Sequence, residues 1–166
     1  MNIQIYEDEV MHYHVIGQSE TPHVLALDLE GTLISNAISQ IPRPGLFEFL
    51  CGCNELFPRM VAFTTVAENR FRNIAHILVK ERLAPQWFAD IEYINWEGKT
   101  KDLNYISNIQ SHNALLVDDC EQYVHPGQER QWLKIEQFDY KNPSKDTELA
   151  RIFNELRAIV HKKNFI

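Results

Sequence analysis

Three short apolar runs, each followed at once by a hydroxyl or a carboxylate, constrain the fold of this chain more than any other feature. They are Val24-Leu25-Ala26-Leu27 before Asp28, Met60-Val61-Ala62-Phe63 before Thr64-Thr65, and Ala114-Leu115-Leu116-Val117 before Asp118-Asp119. Unbroken apolar runs of this length are what strands look like when both faces are buried. Between them the period changes to that of helices. Leu46, Phe49, Leu50, Leu56 and Phe57 follow Pro44; Phe71, Ile74, Ala75, Leu78 and Val79 form a second set; Leu103, Ile106 and Ile109 a third. The final segment is the most regular, with Leu149, Ile152, Phe153, Leu156, Ile159 and Val160 on one face and Asp146 placed to cap it. Alternation of strand and helix predicts an α/β fold with an open, mostly parallel sheet, right-handed crossovers and helices on both faces. Ligands of such sheets bind at the carboxyl ends of the strands, where these polar residues stand.

The chain has 166 residues, 45% of them apolar, enough for one sizeable core and too few for two ordinary domains. A single domain is expected. Residues 1–20 carry a candidate N-terminal hairpin, Ile3-Gln4-Ile5-Tyr6 and Tyr13-His14-Val15-Ile16 around Glu7-Asp8-Glu9. The formal net charge of −7 argues against a nonspecific nucleic-acid binder or a protein held to anionic membranes, because both depend on Lys and Arg. No window reaches the ~18 apolar residues of a membrane span, and the opening Met1-Asn2-Ile3-Gln4 lacks a basic region followed by an apolar one. A cytoplasmic protein is the expectation. Cys51, Cys53 and Cys120 are expected as thiols, with Cys51-Gly52-Cys53 read as small residues at a helix end and not as half a zinc site.

Asp28 leads a turn containing Gly31, so its carboxylate projects at the sheet edge with Glu30 on the same side. Asp118 and Asp119 follow another buried strand. If those strands are neighbours, three or four carboxylates converge, and they repel one another unless a cation lies among them. An oxygen-rich site of this kind suits Mg²⁺. Thr64 brings a hydroxyl, with Thr65 beside it, ahead of a helix whose N-terminal amides suit an anion. Lys101 or Lys99 can balance phosphate charge. Together these are the parts for phosphoryl transfer: a carboxylate nucleophile, a metal, phosphate ligands from Thr and Lys, and a second carboxyl as general acid and base.

The order Asp28-Leu29-Glu30-Gly31-Thr32-Leu33, Thr64, Lys and Asp118-Asp119 resembles the four motifs of the haloacid dehalogenase (HAD) superfamily, from about residue 22 onward. Finer detail resembles the phosphatases of the RNA polymerase II C-terminal tail and their NLI-interacting-factor relatives. Arg43-Pro44-Gly45, Ala62-Phe63-Thr64-Thr65, Lys101-Asp102-Leu103, Asp118-Asp119-Cys120 and the ending around Asp146-Thr147-Glu148-Leu149 carry that likeness. The resemblance implies a HAD-like Rossmannoid three-layer sandwich. It makes Asp28 the nucleophile, Thr64 and Lys101 phosphate ligands, Asp118 a direct metal ligand and Asp119 one acting through water. The backbone carbonyl of Glu30 would also face the metal.

Two positions depart from the resembling pattern. Glu30 stands where most HAD phosphatases have Asp as general acid and base, although the enolase-phosphatase branch resembles this chain in carrying Asp-x-Glu-Gly-Thr. Asp119 replaces Asn and adds negative charge. The spacings after Leu33 and after Thr65 leave no room for a cap domain, and an uncovered site points to a phosphoprotein or another large phosphoester. A catalytically feeble binding module and a small-molecule phosphatase closed by a partner subunit are the alternatives. The seven histidines form no metal-spaced cluster; Trp87 and Trp96 are read as core packing and Arg70 and Arg72 as solvated.

Overall fold

The computed structural model describes residues 22–162, and the candidate hairpin at 1–20 lies outside them. Five parallel strands form one sheet: β1 (Val24–Leu27), β2 (Arg59–Ala62), β3 (Glu92–Tyr93), β4 (Ala114–Asp118) and β5 (Trp132–Lys134), in the order β3-β2-β1-β4-β5. The helices are α1 (Leu46–Leu56), α2 (Glu68–Lys80) and α3 (Glu148–Lys162). Their ends follow local chemistry. Gly45 supplies the left-handed turn at φ 79° that starts α1, and Phe57 is pushed to an extended conformation by the following Pro58, which stops it. α2 closes with a left-handed Arg82 (φ 61°) and the paired bonds Leu83 N to Leu78 O (2.8 Å) and Arg82 N to Val79 O (3.0 Å).

Alternate residues of each strand feed two cores. Leu25, Leu27, Met60, Ala62, Leu115 and Val117 meet the buried faces of α1, α2 and α3, whereas Val24, Ala26, Val61, Phe63, Ala114 and Leu116 meet Ile94, Leu103 and Ile106. The three layers are therefore α-helices, sheet, and the 94–109 segment. Helices on both faces were expected; among the described residues all three α-helices lie on one. The third apolar set is not an α-helix: only Leu103–Tyr105 winds, as a single 3-10 turn. Asp102 caps the start of that turn by accepting from Asn104 N (2.9 Å), but the winding stops at once, with Ile106 extended and Asn108 left-handed at φ 62°. Leu103 and Ile106 still share a side, because residues three apart eclipse in a 3-10 turn.

Cys51-Gly52-Cys53 lies inside α1, with Cys53 buried and all three cysteines free. Gly52 has a packing reason: a Cβ there would stand 2.7 Å from the Phe153 ring of α3. Residues 33–45 form turns and isolated bridges and residues 63–91 hold only α2 and a 3-10 turn, so neither connection carries a cap. No helix among the described residues is long and apolar enough to cross a membrane.

Candidate active site

Register places the site. Leu27 pairs with Val117 across β1 and β4, so Asp28 and Asp118 emerge level with each other. From β1 the chain builds outward through β2 to β3 on one side and then returns from β3 to β4 on the other side of β1, which makes the β1–β4 boundary the topological switch point of the sheet. Lys101 fills the space between the two carboxylates, donating to Asp28 Oδ1 at 2.7 Å and to Asp118 Oδ2 at 2.5 Å. Lysine and aspartates are all buried; Asp118 is 0% and Lys101 1% exposed. Asp118 is further fixed by Cys120 N, which donates to Oδ1 (2.8 Å). Asp119 joins the group from the half-exposed side, and ligand oxygens of Asp28, Asp118 and Asp119 all lie within 4.8 Å of one another. Thr32 donates to Asp119 Oδ1 across 3.4 Å.

Three carboxylates share one ammonium, and the proton affinities of Asp118 and Asp119 record the imbalance. Burial, then the charge of Asp28, raises the Asp118 carboxyl to about 6 against the relief given by Lys101. Burial and Asp28 also push Asp119 up. Burial disfavours the Lys101 ammonium, but Asp28 and Asp118 outweigh that and hold its pKa above the ordinary value. A hard, oxygen-only donor set with unspent negative charge fits a divalent cation such as Mg²⁺.

The sequence pattern of the family described as NLI interacting factor-like phosphatase matches residues 23–165. The chain belongs to this family. Among curated proteins, none matches it. NLI interacting factor-like phosphatases are the C-terminal-tail phosphatase branch of the HAD superfamily, so the domain is a HAD-type phosphatase, and its parallel α/β sheet accords with that fold.

Other expected residues of this phosphatase domain are spread around the cluster. Of the three or four carboxylates expected to converge, three do. Glu30 is not in that group; its Oε1 accepts from the Ala37 amide (2.5 Å), within its own loop. Thr64 is buried one residue past Phe63, whose amide donates to Leu27 O (2.8 Å); its hydroxyl accepts from Val66 N (3.2 Å). Thr65 is exposed beside it, and α2 starts only at Glu68. Lys99 is exposed, two residues before the buried Lys101. Thr64 and Thr65 open on a cleft of about 450 Å³ lined also by Tyr93, Trp96, Glu97 and Tyr123. Trp96 lines the cleft, donating to Thr64 O (2.9 Å), and also packs on the core as expected, as does Trp87. Arg70 and Arg72 are not simply solvated: Arg70 donates to Ala37 O (2.7 Å) and Arg72 to Ile91 O (2.6 Å).

Arg43 has a clamping role that its motif alone does not reveal. Its guanidinium is 1% exposed, bonds both Gly31 O (3.2 Å) and Thr32 O (3.1 Å), and forks onto Asp146 with Nη2 to Oδ2 at 2.9 Å. It also donates to Glu136 O (2.7 Å) and lies over the Phe138 ring. The loop after Asp28 is thereby tied to the start of α3, where Asp146 accepts from Glu148 N (3.1 Å). Asp146 caps the helix, as expected, and also holds the arginine. The motif Arg43-Pro44-Gly45 flags the arginine, but nothing in the sequence pairs it with a residue 103 positions away.

Proposed function

We propose that this domain is a Mg²⁺-dependent phosphomonoester hydrolase that works through a phosphorylated Asp28, on a phosphoprotein or another large phosphoester. The observation that carries the proposal is the buried contact of Lys101 with Asp28 and Asp118, with Asp119 alongside, in a HAD-type phosphatase domain. Lys101 bonds Oδ1 of Asp28, which leaves Oδ2 as the attacking oxygen. As the Oδ2–phosphorus bond forms, the phosphorus–oxygen bond to the leaving group breaks, and the leaving oxygen takes its proton from Glu30. Glu30 then takes a proton from water, the water oxygen attacks phosphorus, and Asp28 is freed with release of inorganic phosphate.

Lys101 has three donors and spends two on carboxylates, so a third remains for phosphate. Its buried position favours it over the exposed Lys99 for this role. The Thr64 hydroxyl serves as the second phosphate ligand, with Thr65 at the cleft as a substrate contact. Asp28, Asp118, Asp119 through water, and the carbonyl of Glu30 would hold Mg²⁺. When bound, the ion neutralises the nucleophile and phosphate charge that these residues alone leave in excess. Connections too short for a cap leave the site open, which supports a large substrate.

The test is hydrolysis of p-nitrophenyl phosphate with Mg²⁺, with EDTA, and by Asp28→Asn. Turnover that needs the metal and disappears in the variant is expected. Turnover persisting in Asp28→Asn removes the nucleophile from the proposal.

A further inference from the structure

Lys101 is fully buried and sits between two carboxylates, yet it belongs to neither a helix nor a named strand; it makes only an isolated bridge to Val124. A lysine stem is flexible, so the two ion pairs hold this ammonium in place only if the backbone keeps its end of the stem within reach of both carboxylates. What fixes that backbone is a second segment, residues 123–128, a few residues beyond Asp118-Asp119. Four consecutive residues are each fastened to it. Thr100 Oγ1 bonds His125 Nδ1 (2.8 Å). Lys101 N donates to Tyr123 O (2.7 Å), and the Tyr123 ring lies 5.3 Å from the ammonium. Asp102 accepts from Gln128 Nε2 (2.7 Å) and faces His125 Nε2 at 3.6 Å. Leu103 N donates to Gln128 Oε1 (2.8 Å).

Gln128 is the centre of this strap. It is buried at 8% exposure, and both ends of its amide are used, one on the side chain after Lys101 and one on the backbone a residue further. No apolar side chain can do both, and removing the amide leaves the buried Leu103 N–H unpaired. We infer that Gln128, supported by His125, is a positioning residue for the Lys101 ammonium, locking the phosphate-binding lysine to the loop that carries Asp118 and Asp119. The inference rests on the proposed role of Lys101. Neither Gln128 nor His125 touches the acidic cluster, so their effect runs through the lysine.

The experiment uses the full chain with Gln128→Met, His125→Leu and Lys101→Met, each checked for folding by urea titration. With saturating Mg²⁺ and p-nitrophenyl phosphate, Gln128→Met is expected to lower kcat about 10–100-fold, the scale of a misplacement near 1 Å, with His125→Leu smaller and in the same direction. Gln128→Met added to Lys101→Met is expected to cost nothing more. A readout independent of turnover is the ¹⁵N signal of the Lys101 ammonium, assigned by its loss in Lys101→Met. Buried and doubly bonded, it is expected to exchange protons slowly in the parent chain and to broaden or vanish in Gln128→Met. Parent-like kcat in Gln128→Met overturns the inference, as does a full additional loss in the Lys101→Met background. Should the parent chain itself hydrolyse nothing, the proposed function falls and the ammonium signal decides: broadened in Gln128→Met, the strap stands; unchanged, it does not.

Discussion

Replacing Lys101 with Met removes the one positive charge among three carboxylates while keeping most of the apolar volume. Both bonds it loses are buried, to Asp28 and to Asp118. Breaking a buried ion pair by deleting one partner costs about 3–5 kcal/mol, because the remaining charge is left uncompensated. With a urea dependence of about 2 kcal/mol per molar for a domain of this size, the midpoint should fall by roughly 2 M in EDTA at pH 7.5. Two conditions should stabilise the variant. Mg²⁺ at 100 times the variant's own Kd would add about 2.7 kcal/mol to it relative to EDTA by binding only the folded state, a gain the parent shares. Acid should also help, and the sign follows from Asp118. Its native carboxyl is raised to about 6 from an ordinary 3.8. Such a group favours the folded state fully below about pH 4, and that contribution is lost as pH rises through about 6. Proton uptake by Asp118 therefore replaces the missing ammonium, and the gap between variant and parent should narrow from pH 7.5 to pH 5. A midpoint unchanged by Lys101→Met, or a gap that widens on acidification, would refute the charge balance argued for this site.

Three further perturbations separate the parts of the site. Gly31→Ala puts a side chain at φ 76° and drives its Cβ against the Asp119 carboxylate, with Cγ only 2.8 Å away; Mg²⁺ affinity, titrated by activity, should fall about 10–100-fold. An unchanged Mg²⁺ titration would remove Asp119 from the metal site. Arg43→Met strands the partly buried Asp146 and the carbonyls of Gly31, Thr32 and Glu136, so thermal unfolding should come about 10 °C earlier, from about 3–5 kcal/mol at roughly 2–4 °C each. A shift of a degree or two would mean the clamp contributes little. Glu30→Gln keeps an oxygen for Ala37 N but no proton to give; kcat should drop about 10²–10⁴-fold if Glu30 is acid and base, whereas parent-like kcat would leave it only a loop anchor.

Much of the fold was legible because burial on both faces writes itself into sequence. β1, β2 and β4 fall within a residue of the apolar runs, and α1, α2 and α3 follow their helical periods. β5 was not foreseen. It is a three-residue edge strand, Trp132–Lys134, of which only Leu133 is buried, too short for a period to show. The segment after Lys101 read as a helix because spacings of three fit a 3-10 turn equally well.

By itself, the sequence determined which residues could meet: strands that end in Asp28, Thr64 and Asp118-Asp119 must deliver them to one edge of a parallel sheet, since chain direction alone sets that edge. It could not set which strands are neighbours, their register, or where a loop lysine comes to rest. Those depend on contacts between residues far apart in the chain, such as Leu27 with Val117, Lys101 with Asp28, Arg43 with Asp146 and Gln128 with Asp102. Each forms only when the core has packed, because before then nothing offsets the entropy of closing the long loops between them.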